Sequence, residues 1–221
     1  MSGGGPEKDP GDYFGSAYRS YEGQNPPKKL DHYADVLRAR SPVSKPRLLD
    51  VGCGRGLFLR RLHDRFPEWQ LSGTDPEPGG VSASSSLVPS ATIRQGFVDS
   101  IPFPTASFDV VSAWDVLEHV IDLGAALSEM KRCLVPGGVL AVVIPVYDSV
   151  SGPLIRALDR DPTHIHKESR DFWVSLIEKH FSAVQWHGIY RFMISGSKYV
   201  HWPTRMLRRA TPAILVSAIT G

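Results

Sequence analysis

The chain has 221 residues, 42% of them hydrophobic and 22% charged, which fits one soluble globular domain with at most a small appendage. Its formal net charge of +2 gives no reason to expect a nucleic acid or an anionic membrane as the main partner. Cys53 and Cys133 are the two cysteines, and their wide separation argues against a metal cluster or a disulfide framework and favours a reducing cytoplasm.

The N-terminal segment is predicted to lie outside the core. Residues 1–22 are polar and rich in glycine, lack the apolar centre of a signal peptide, and are expected to form a flexible tail. Residues 23–45 contain a helical pattern that places apolar residues such as Leu30, Tyr33 and Leu37 on one face. We therefore expect one amphipathic helix before the core begins.

Strands and helices alternate through residues 46–147. The predicted strands span residues 47–51, 69–75, 91–97, 108–114 and 138–146, and the predicted helices span 57–66 and 123–134. Because the strands are almost wholly apolar, the alternation predicts a parallel sheet with helices on both faces. A Pro136–Gly137–Gly138 turn is expected to end the second helix and lead into the fifth strand.

Residues 148–221 are predicted to cap the sheet and to add its remaining strands within the same domain. Residues 169–181 form an amphipathic helical pattern with Ser169 as N-cap, and two strands are expected within 183–194 and 212–219. The longest apolar stretches of the chain are about half the length of a membrane span, so none is predicted to cross a bilayer.

Three glycines follow the first strand directly. Gly52, Gly54 and Gly56 lie at the carboxyl end of strand 47–51, which is the end of a parallel sheet where ligands bind. Glycine permits a tight turn and lets a ligand touch the backbone, and the next helix directs its amide dipoles at that ligand. The spacing is GxGxG rather than the GxGxxG of dinucleotide sites, and no GxxxxGK[ST] loop is present.

The segment "LLDVGCGRG" resembles the first motif of the class I S-adenosylmethionine-dependent methyltransferases. Further motifs follow in the family's order, and the resemblance covers roughly residues 30–190. It implies a Rossmann-like fold, namely a seven-stranded, mostly parallel sheet with helices on both faces and an antiparallel last strand. It also implies S-adenosyl-L-methionine as cofactor and residues 46–147 as the part that binds it.

The resemblance assigns roles to individual positions. Asp75 matches the acidic residue that accepts hydrogen bonds from the ribose hydroxyls, and Pro76 takes the place beside adenine. Phe97 replaces the family's usual acid near the adenine amine, which puts that contact in doubt and leaves Val98 to provide a backbone contact. The expected cofactor-binding residues are Asp50, Gly52, Cys53, Gly54, Gly56, Asp75, Pro76, Phe97, Val98, Ala113 and Trp114.

No catalytic triad is apparent, because a sulfonium methyl group is already electrophilic and alignment is the main requirement. A hydroxyl acceptor benefits from a general base, and His164 and then His119 are the candidates. Glu118 either binds a polar group of the acceptor or holds a helix end. No metal is expected, and a structural role is expected for the histidines His63, His180, His187 and His201.

Several alternatives stay open. Segment 23–45, with the aromatics Tyr13, Phe14, Tyr18 and Tyr21, forms a lid over the site or merely packs against the core. The leading function is methyl transfer to a small molecule, at oxygen or carbon rather than nitrogen because "SAWD" follows the fourth strand instead of an Asn-Pro-Pro-Tyr motif. A non-catalytic cofactor-binding module and, less favoured, an NAD-dependent oxidoreductase remain. No oligomeric state is predicted.

Overall fold

The computed structural model describes residues 21–149, 152–158, 161–194 and 198–221. The predicted flexible tail, with Tyr13, Phe14 and Tyr18, lies almost wholly outside these residues. The helices are α1 (Tyr21–Gln24), α2 (Pro27–Arg40), α3 (Leu57–Arg65), α4 (Pro78–Leu87), α5 (Leu123–Cys133), α6 (Gly152–Leu158) and α7 (Arg170–Glu178). The strands are β1 (Arg47–Val51), β2 (Gln70–Asp75), β3 (Thr92–Gln95), β4 (Phe108–Trp114), β5 (Leu134–Pro145), β6 (Ser182–Ile194), β7 (Lys198–Thr204) and β8 (Ala213–Ile219).

All eight strands form one sheet in the order β3-β2-β1-β4-β5-β8-β6-β7. Strands β1 to β5 pair in parallel. The chain moves outward from β1 to β3 and then returns to β4 on the other side of β1. The strand order therefore reverses between β1 and β4, and a crevice opens there beyond the carboxyl ends of the strands.

The end of the sheet is antiparallel. Strand β8 lies between β5 and β6 and is antiparallel to both, so the predicted antiparallel last strand is confirmed. The predicted count of seven strands is one short, because β7 forms a hairpin with β6 and extends the sheet at its edge. Pro203 lies within β7, and proline is tolerated in edge strands, where one side of the backbone has no partner.

Helices cover both faces of the sheet, as the alternation predicted. Helices α2 and α3 pack on one face, where Leu37 and Leu59 are fully buried. Helix α7 packs on the other face and buries Trp173 and Ile177 completely. Each such side chain contributes about 1.5–3 kcal/mol through its removal from water. No helix in the described part of the chain combines the length and apolar character needed to cross a bilayer.

The junction between α5 and β5 differs from the prediction. Strand β5 begins at Leu134, directly after the helix, rather than after a turn at residues 136–138. Leu134 pairs with Phe108 and Val139 pairs with Val110, so the register shifts and the intervening residues bulge out of the ladder. Gly137, with φ of +75°, supplies the left-handed backbone that this bulge uses.

Candidate functional site

The glycine loop after β1 adopts a backbone that side chains disfavour. Gly52, Gly54 and Gly56 have φ of +70°, +53° and +79°. A Cβ added to Gly52 would lie 2.5 Å from Cγ2 of Val116, so the loop has no room for a side chain there. The amides of Gly52 and Cys53 donate to the Thr74 carbonyl at 2.8 and 3.0 Å, which fixes the loop against the end of β2.

Two buried carboxylates flank this loop. Asp75 Oδ2 accepts from the Gly54 amide at 2.7 Å, and its Oδ1 accepts from the Glu77 amide at 3.0 Å. Asp50, 2% exposed, accepts from the Ser112 hydroxyl at 2.7 Å. Burial raises the pKa of Asp75, and it raises the pKa of Asp50 to about 7. Both carboxylates keep acceptor capacity, since a carboxylate offers about four lone-pair positions.

A cavity of about 530 Å³ opens beside the loop and extends towards α2, β6 and β7. A second group of polar cavity-lining residues surrounds the end of β4, next to the loop. Asp115, at φ of +58°, forms ion pairs with Arg191 and with Lys29, whose Nζ lies 3.6 Å from Asp115 Oδ2. Burial lowers the pKa of Lys29. Burial opposes ionisation of Asp115, but Arg191 and Lys29 outweigh it and hold its pKa below the ordinary value.

Glu118 and two histidines lie at the same end of the cavity. Glu118 is fully buried, and neither carboxylate oxygen has a hydrogen-bond partner among the described residues. Burial, reinforced by the charge of Asp115, raises the pKa of Glu118 well above its usual range. The rings of His119 and His164 lie 4.8 Å apart, and burial lowers the pKa of His119. These two histidines are therefore neighbours, although 45 positions separate them in the chain.

The sequence from β1 to β5 matches a known family. Residues 49–142 match the family model described as a methyltransferase domain. The chain contains a class I S-adenosylmethionine-dependent methyltransferase domain. A solved structure described as a SAM-dependent methyltransferase, possible histamine N-methyltransferase, from Thermotoga maritima aligns with a TM-score of 0.71 at 15% identity. That alignment covers 96% of this chain and 98% of the other, and at this identity it shows the fold alone.

Curated relatives match the methyltransferase domain more closely in sequence. A ubiquinone biosynthesis O-methyltransferase of Azorhizobium caulinodans is 32% identical over 50% of this chain and 45% of its own length. A trans-aconitate 2-methyltransferase of Methylobacterium nodulans is 34% identical over 58% of this chain and 48% of its own length. The chain thus spans about half the length of these relatives.

The residues of the methyltransferase domain fit the family's cofactor, S-adenosylmethionine. The glycine loop exposes backbone at the strand-order reversal, and Asp75 sits at the end of β2, beside β1. A Cβ at Gly52 would clash with the side chain of Val116, so the loop can lie this close to the end of β4 only because no side chain is present there. The sulfonium is cationic, and Asp50 and Asp75 place two acidic side chains beside the loop.

The structure brings together eight of the thirteen residues predicted from sequence. Those that line the cavity are Asp50, Gly52, Cys53, Gly54, Asp75, Trp114, His119 and His164. The other five lie outside it. Gly56 precedes α3 as its N-cap, Ala113 is buried in the core, and Val98 packs against the core. Pro76 and Phe97 are exposed, with Phe97 59% accessible to solvent.

The cavity also contains residues that the sequence did not single out as site residues. Tyr33 of α2 stacks on Trp114 with ring centroids 4.4 Å apart, so the N-terminal helix forms part of the wall. Lys29, Asp115 and Arg191 complete the charged end. Among these three, Lys29 alone could be read from the sequence, because it lies four residues before Tyr33 and beside Leu30, on the apolar face of the helix. The ion pairs of Asp115 with Lys29 and Arg191 form only in the folded chain.

Proposed function

We propose that this methyltransferase domain transfers a methyl group from S-adenosylmethionine to a small-molecule acceptor, at oxygen or carbon rather than nitrogen. One observation carries the proposal: a single cavity joins the glycine loop and Asp75 to the polar end formed by Glu118, His119 and His164. Its volume of about 530 Å³ lies within the usual range of small-molecule sites.

The cofactor half of the cavity is assigned to the residues around the loop. Asp75 holds the ribose hydroxyls, while the backbone from Gly52 to Gly54, with Asp50 and Cys53, lies against the cofactor. Pro76, Phe97 and Val98 lie at the adenine edge, where the exposure of Phe97 leaves an apolar surface for a base. Trp114 lines the methionine end, and Ala113 and Gly56 support the loop and β4 from the core.

The cofactor, when bound, supplies an electrophilic methyl group. The chain has to align the acceptor, exclude water and accept the acceptor's proton. His119 and His164 line the same cavity as Asp75, and the lowered pKa of His119 keeps its imidazole neutral near pH 7. We assign both histidines to the acceptor rather than to the cofactor.

The preference for oxygen or carbon rests on sequence and on a relative. Residues 112–115, "SAWD", follow the fourth strand where enzymes that methylate amino groups often carry an Asn-Pro-Pro-Tyr motif. The relative from Azorhizobium caulinodans is named an O-methyltransferase. The charged end formed by Lys29 and Arg191 suits an acceptor with a polar or anionic group.

The domain division is part of this proposal. Residues 23–45 act as a lid, which is supported by Lys29, Leu30 and Tyr33 in the cavity wall. Residues 46–147 form the cofactor-binding core and 148–221 the cap with the remaining strands, while the tail assigned to residues 1–22 lies almost wholly outside the described residues. A cytoplasmic location is supported by two free, buried cysteines. We expect no nucleic-acid partner, given the near-neutral charge.

Calorimetry on the full chain tests the cofactor assignment. S-adenosylhomocysteine should bind with one site, and NAD should give no saturable heat. Asp75→Asn should weaken S-adenosylhomocysteine binding at least tenfold, because about 1.5–3 kcal/mol of charged hydrogen bonding is lost. The control Asp99→Asn changes an exposed carboxylate and should leave the affinity unchanged. NAD binding without S-adenosylhomocysteine binding would instead support the oxidoreductase.

A second measurement separates an enzyme from a non-catalytic binding module. Radiolabelled S-adenosylmethionine is incubated with the chain and with pools of phenolic, carboxylic and amine acceptors. Transfer of label to phenols or carboxylates, reduced by His164→Ala without loss of S-adenosylhomocysteine affinity, is expected. Binding of the cofactor without transfer to any pool would favour the module, and transfer to amines alone would contradict the acceptor assignment.

A further inference from the structure

Three potential metal ligands meet at the acceptor end of the cavity. Glu118, His119 and His164 each offer one donor atom, and these atoms lie within 4.8 Å of one another. Donors that share one ion at about 2.1 Å lie no more than about 4.2 Å apart, so a small side-chain rotation brings them to bonding distance. No cysteine takes part, and the expectation of no metal rested on cysteine spacing and on the intrinsic reactivity of a sulfonium methyl group.

Glu118 provides an independent sign of a missing partner. Its side chain is fully buried, lines the cavity, and has no hydrogen-bond partner on either carboxylate oxygen among the described residues. Buried polar groups are nearly always satisfied, and an unsatisfied carboxyl group carries a large desolvation cost. A cation between Glu118 and the two imidazoles would satisfy this carboxylate.

The surroundings of His119 favour a ligand rather than an ordinary hydrogen-bonded side chain. Its Nδ1 lies 3.1 Å from the Thr163 carbonyl oxygen and 2.9 Å from the Thr163 hydroxyl. A bond from Nδ1–H to a carbonyl directs the lone pair to Nε2, the arrangement commonly seen for histidines that bind metals. His119 thus has one nitrogen held by the protein and one left for the cavity.

Backbone hydrogen bonds hold the two halves of this cluster together. The amides of Ile165 and His166 donate to the Glu118 carbonyl at 3.0 and 3.2 Å. They fix the loop that carries His164 against the turn that carries Glu118 and His119. Around His164, Asp161 Oδ2 lies 3.9 Å from Nε2 and the Tyr147 hydroxyl lies 3.4 Å from Nδ1, so an ion on this ring takes the place of one of these two neighbours.

The charges around the cluster favour a cation. Cavity-lining residues at this end include the cations Lys29 and Arg191 and the acids Asp115, Glu118 and Asp161. Asp115 pairs with both cations, which lowers their repulsion towards a further positive charge. The three acidic side chains therefore outnumber the two basic ones at this end.

We propose that Glu118, His119 and His164 bind one divalent transition-metal ion at the acceptor end of the cavity. Two imidazoles and one carboxylate suit Zn²⁺, Co²⁺, Mn²⁺ or Fe²⁺ better than Mg²⁺, and three protein ligands leave coordination positions open. With the ion bound, His119 and His164 would hold the metal instead of accepting the acceptor's proton, and an acceptor hydroxyl at an open position would lose that proton to solvent at lower pH than it does in water. This acceptor role rests on the proposed function, whereas the binding of the ion does not.

Titration of the chelator-stripped full chain with Co²⁺ tests the proposal through the visible absorption of the bound ion. We expect one equivalent of Co²⁺ to bind and Zn²⁺ to displace it, with Mg²⁺ unable to do so. Glu118→Gln and His164→Ala should each weaken Co²⁺ binding at least tenfold. The control His63→Gln removes a histidine outside the cavity wall and should leave the titration unchanged.

Failure of the metal site can be distinguished from failure of the proposed function, because the two are measured by different ligands. S-adenosylhomocysteine affinity, measured on the same metal-free preparations, reports the cofactor site and the folding of each variant. If Co²⁺ and Zn²⁺ show no saturable binding, or bind both variants as tightly as the original chain, the site does not exist. Tight binding of Mg²⁺ without Zn²⁺ would overturn the assignment to a transition metal.

Discussion

Acidification should destabilise the protein through three histidines that join α2 to the β6–β7 hairpin. His32 Nδ1 lies 2.9 Å from His201 Nε2, and His32 Nε2 lies 3.0 Å from His187 Nε2. When the rings are neutral, His32 can donate from one nitrogen and accept at the other. When His32 is protonated, both its nitrogens are donors, and the neighbouring rings both have to act as acceptors.

The sign of the pH effect follows from the pKa values. Burial lowers the pKa of His32 and of His187 to about 4, and that of His201 to about 3. Neighbouring charged groups change the pKa of each of these histidines by a smaller amount than burial does. The ordinary value, which applies to the unfolded chain, is about 6.5. Between pH 6.5 and 4 the unfolded chain therefore binds more protons than the folded one, so the free energy of unfolding falls as the pH falls.

The magnitude at pH 5 follows from the same values. A histidine that is neutral when folded and has an unfolded pKa of about 6.5 contributes a loss of about 2 kcal/mol at pH 5. Three independent histidines would sum to about 6 kcal/mol, and partial solvent exposure of His32 and His187 reduces this to about 4 kcal/mol. That is a large share of the stability of an ordinary domain.

Urea unfolding followed by tryptophan fluorescence at pH 7.5 and pH 5 measures this loss. Buried carboxylic acids such as Asp50, whose pKa is raised to about 7, act in the opposite direction, so a variant is compared with the original chain. His201→Asn should lose about 2 kcal/mol less on acidification, while His63→Asn should behave like the original chain. Equal losses in the original chain and in His201→Asn would refute the reasoning.

Three further substitutions probe the loop, the core and a buried ion pair. Gly52→Ala forces a Cβ to 2.5 Å from Val116 at φ of +70°, so it should weaken S-adenosylhomocysteine binding at least tenfold by calorimetry; unchanged affinity would contradict this. Leu59→Ala should cost about 2–5 kcal/mol in urea unfolding, and a loss below about 1 kcal/mol would show that the core relaxes around it. Asp148→Ala leaves the 1% exposed guanidinium of Arg170 without its carboxylate and should cost about 3–5 kcal/mol in the same assay, with Asp99→Asn as the neutral control.

The sequence predicted the first five strands well because their signals are local. The predicted bounds 47–51 and 108–114 coincide with β1 and β4, since both are apolar runs between clear polar or glycine boundaries. Strand β7 was not predicted, because a proline and polar residues interrupt its alternation and only pairing with β6 makes it a strand. Tertiary pairing decides such edge strands, and a single segment does not reveal it.

The residues of the site also differ in whether a local sequence signal or tertiary pairing brings them into place. The glycine loop and Asp75 could be predicted because one contiguous turn and one strand end define them. The charged end could not, since Lys29, Asp115 and Arg191 come from α2, the end of β4 and β6. Their ion pairs form only when the C-terminal strands fold back beside β5 and bring β6 towards the N-terminal helix.

Glu118 shows how burial decides between two interpretations that sequence leaves open. One interpretation was that its carboxylate holds a helix end, yet the carboxylate has no partner among the described residues and its own backbone carbonyl fastens the loop of His164. A carboxylate that holds a helix end accepts from an amide of the first turn, as Asp122 does from Ala125 at the start of α5. A fully buried carboxyl group with no hydrogen bond among the described residues is costly, and a bound cation would offset that cost. The burial of Glu118, together with the two neighbouring histidines, therefore favours a cation at this end of the cavity.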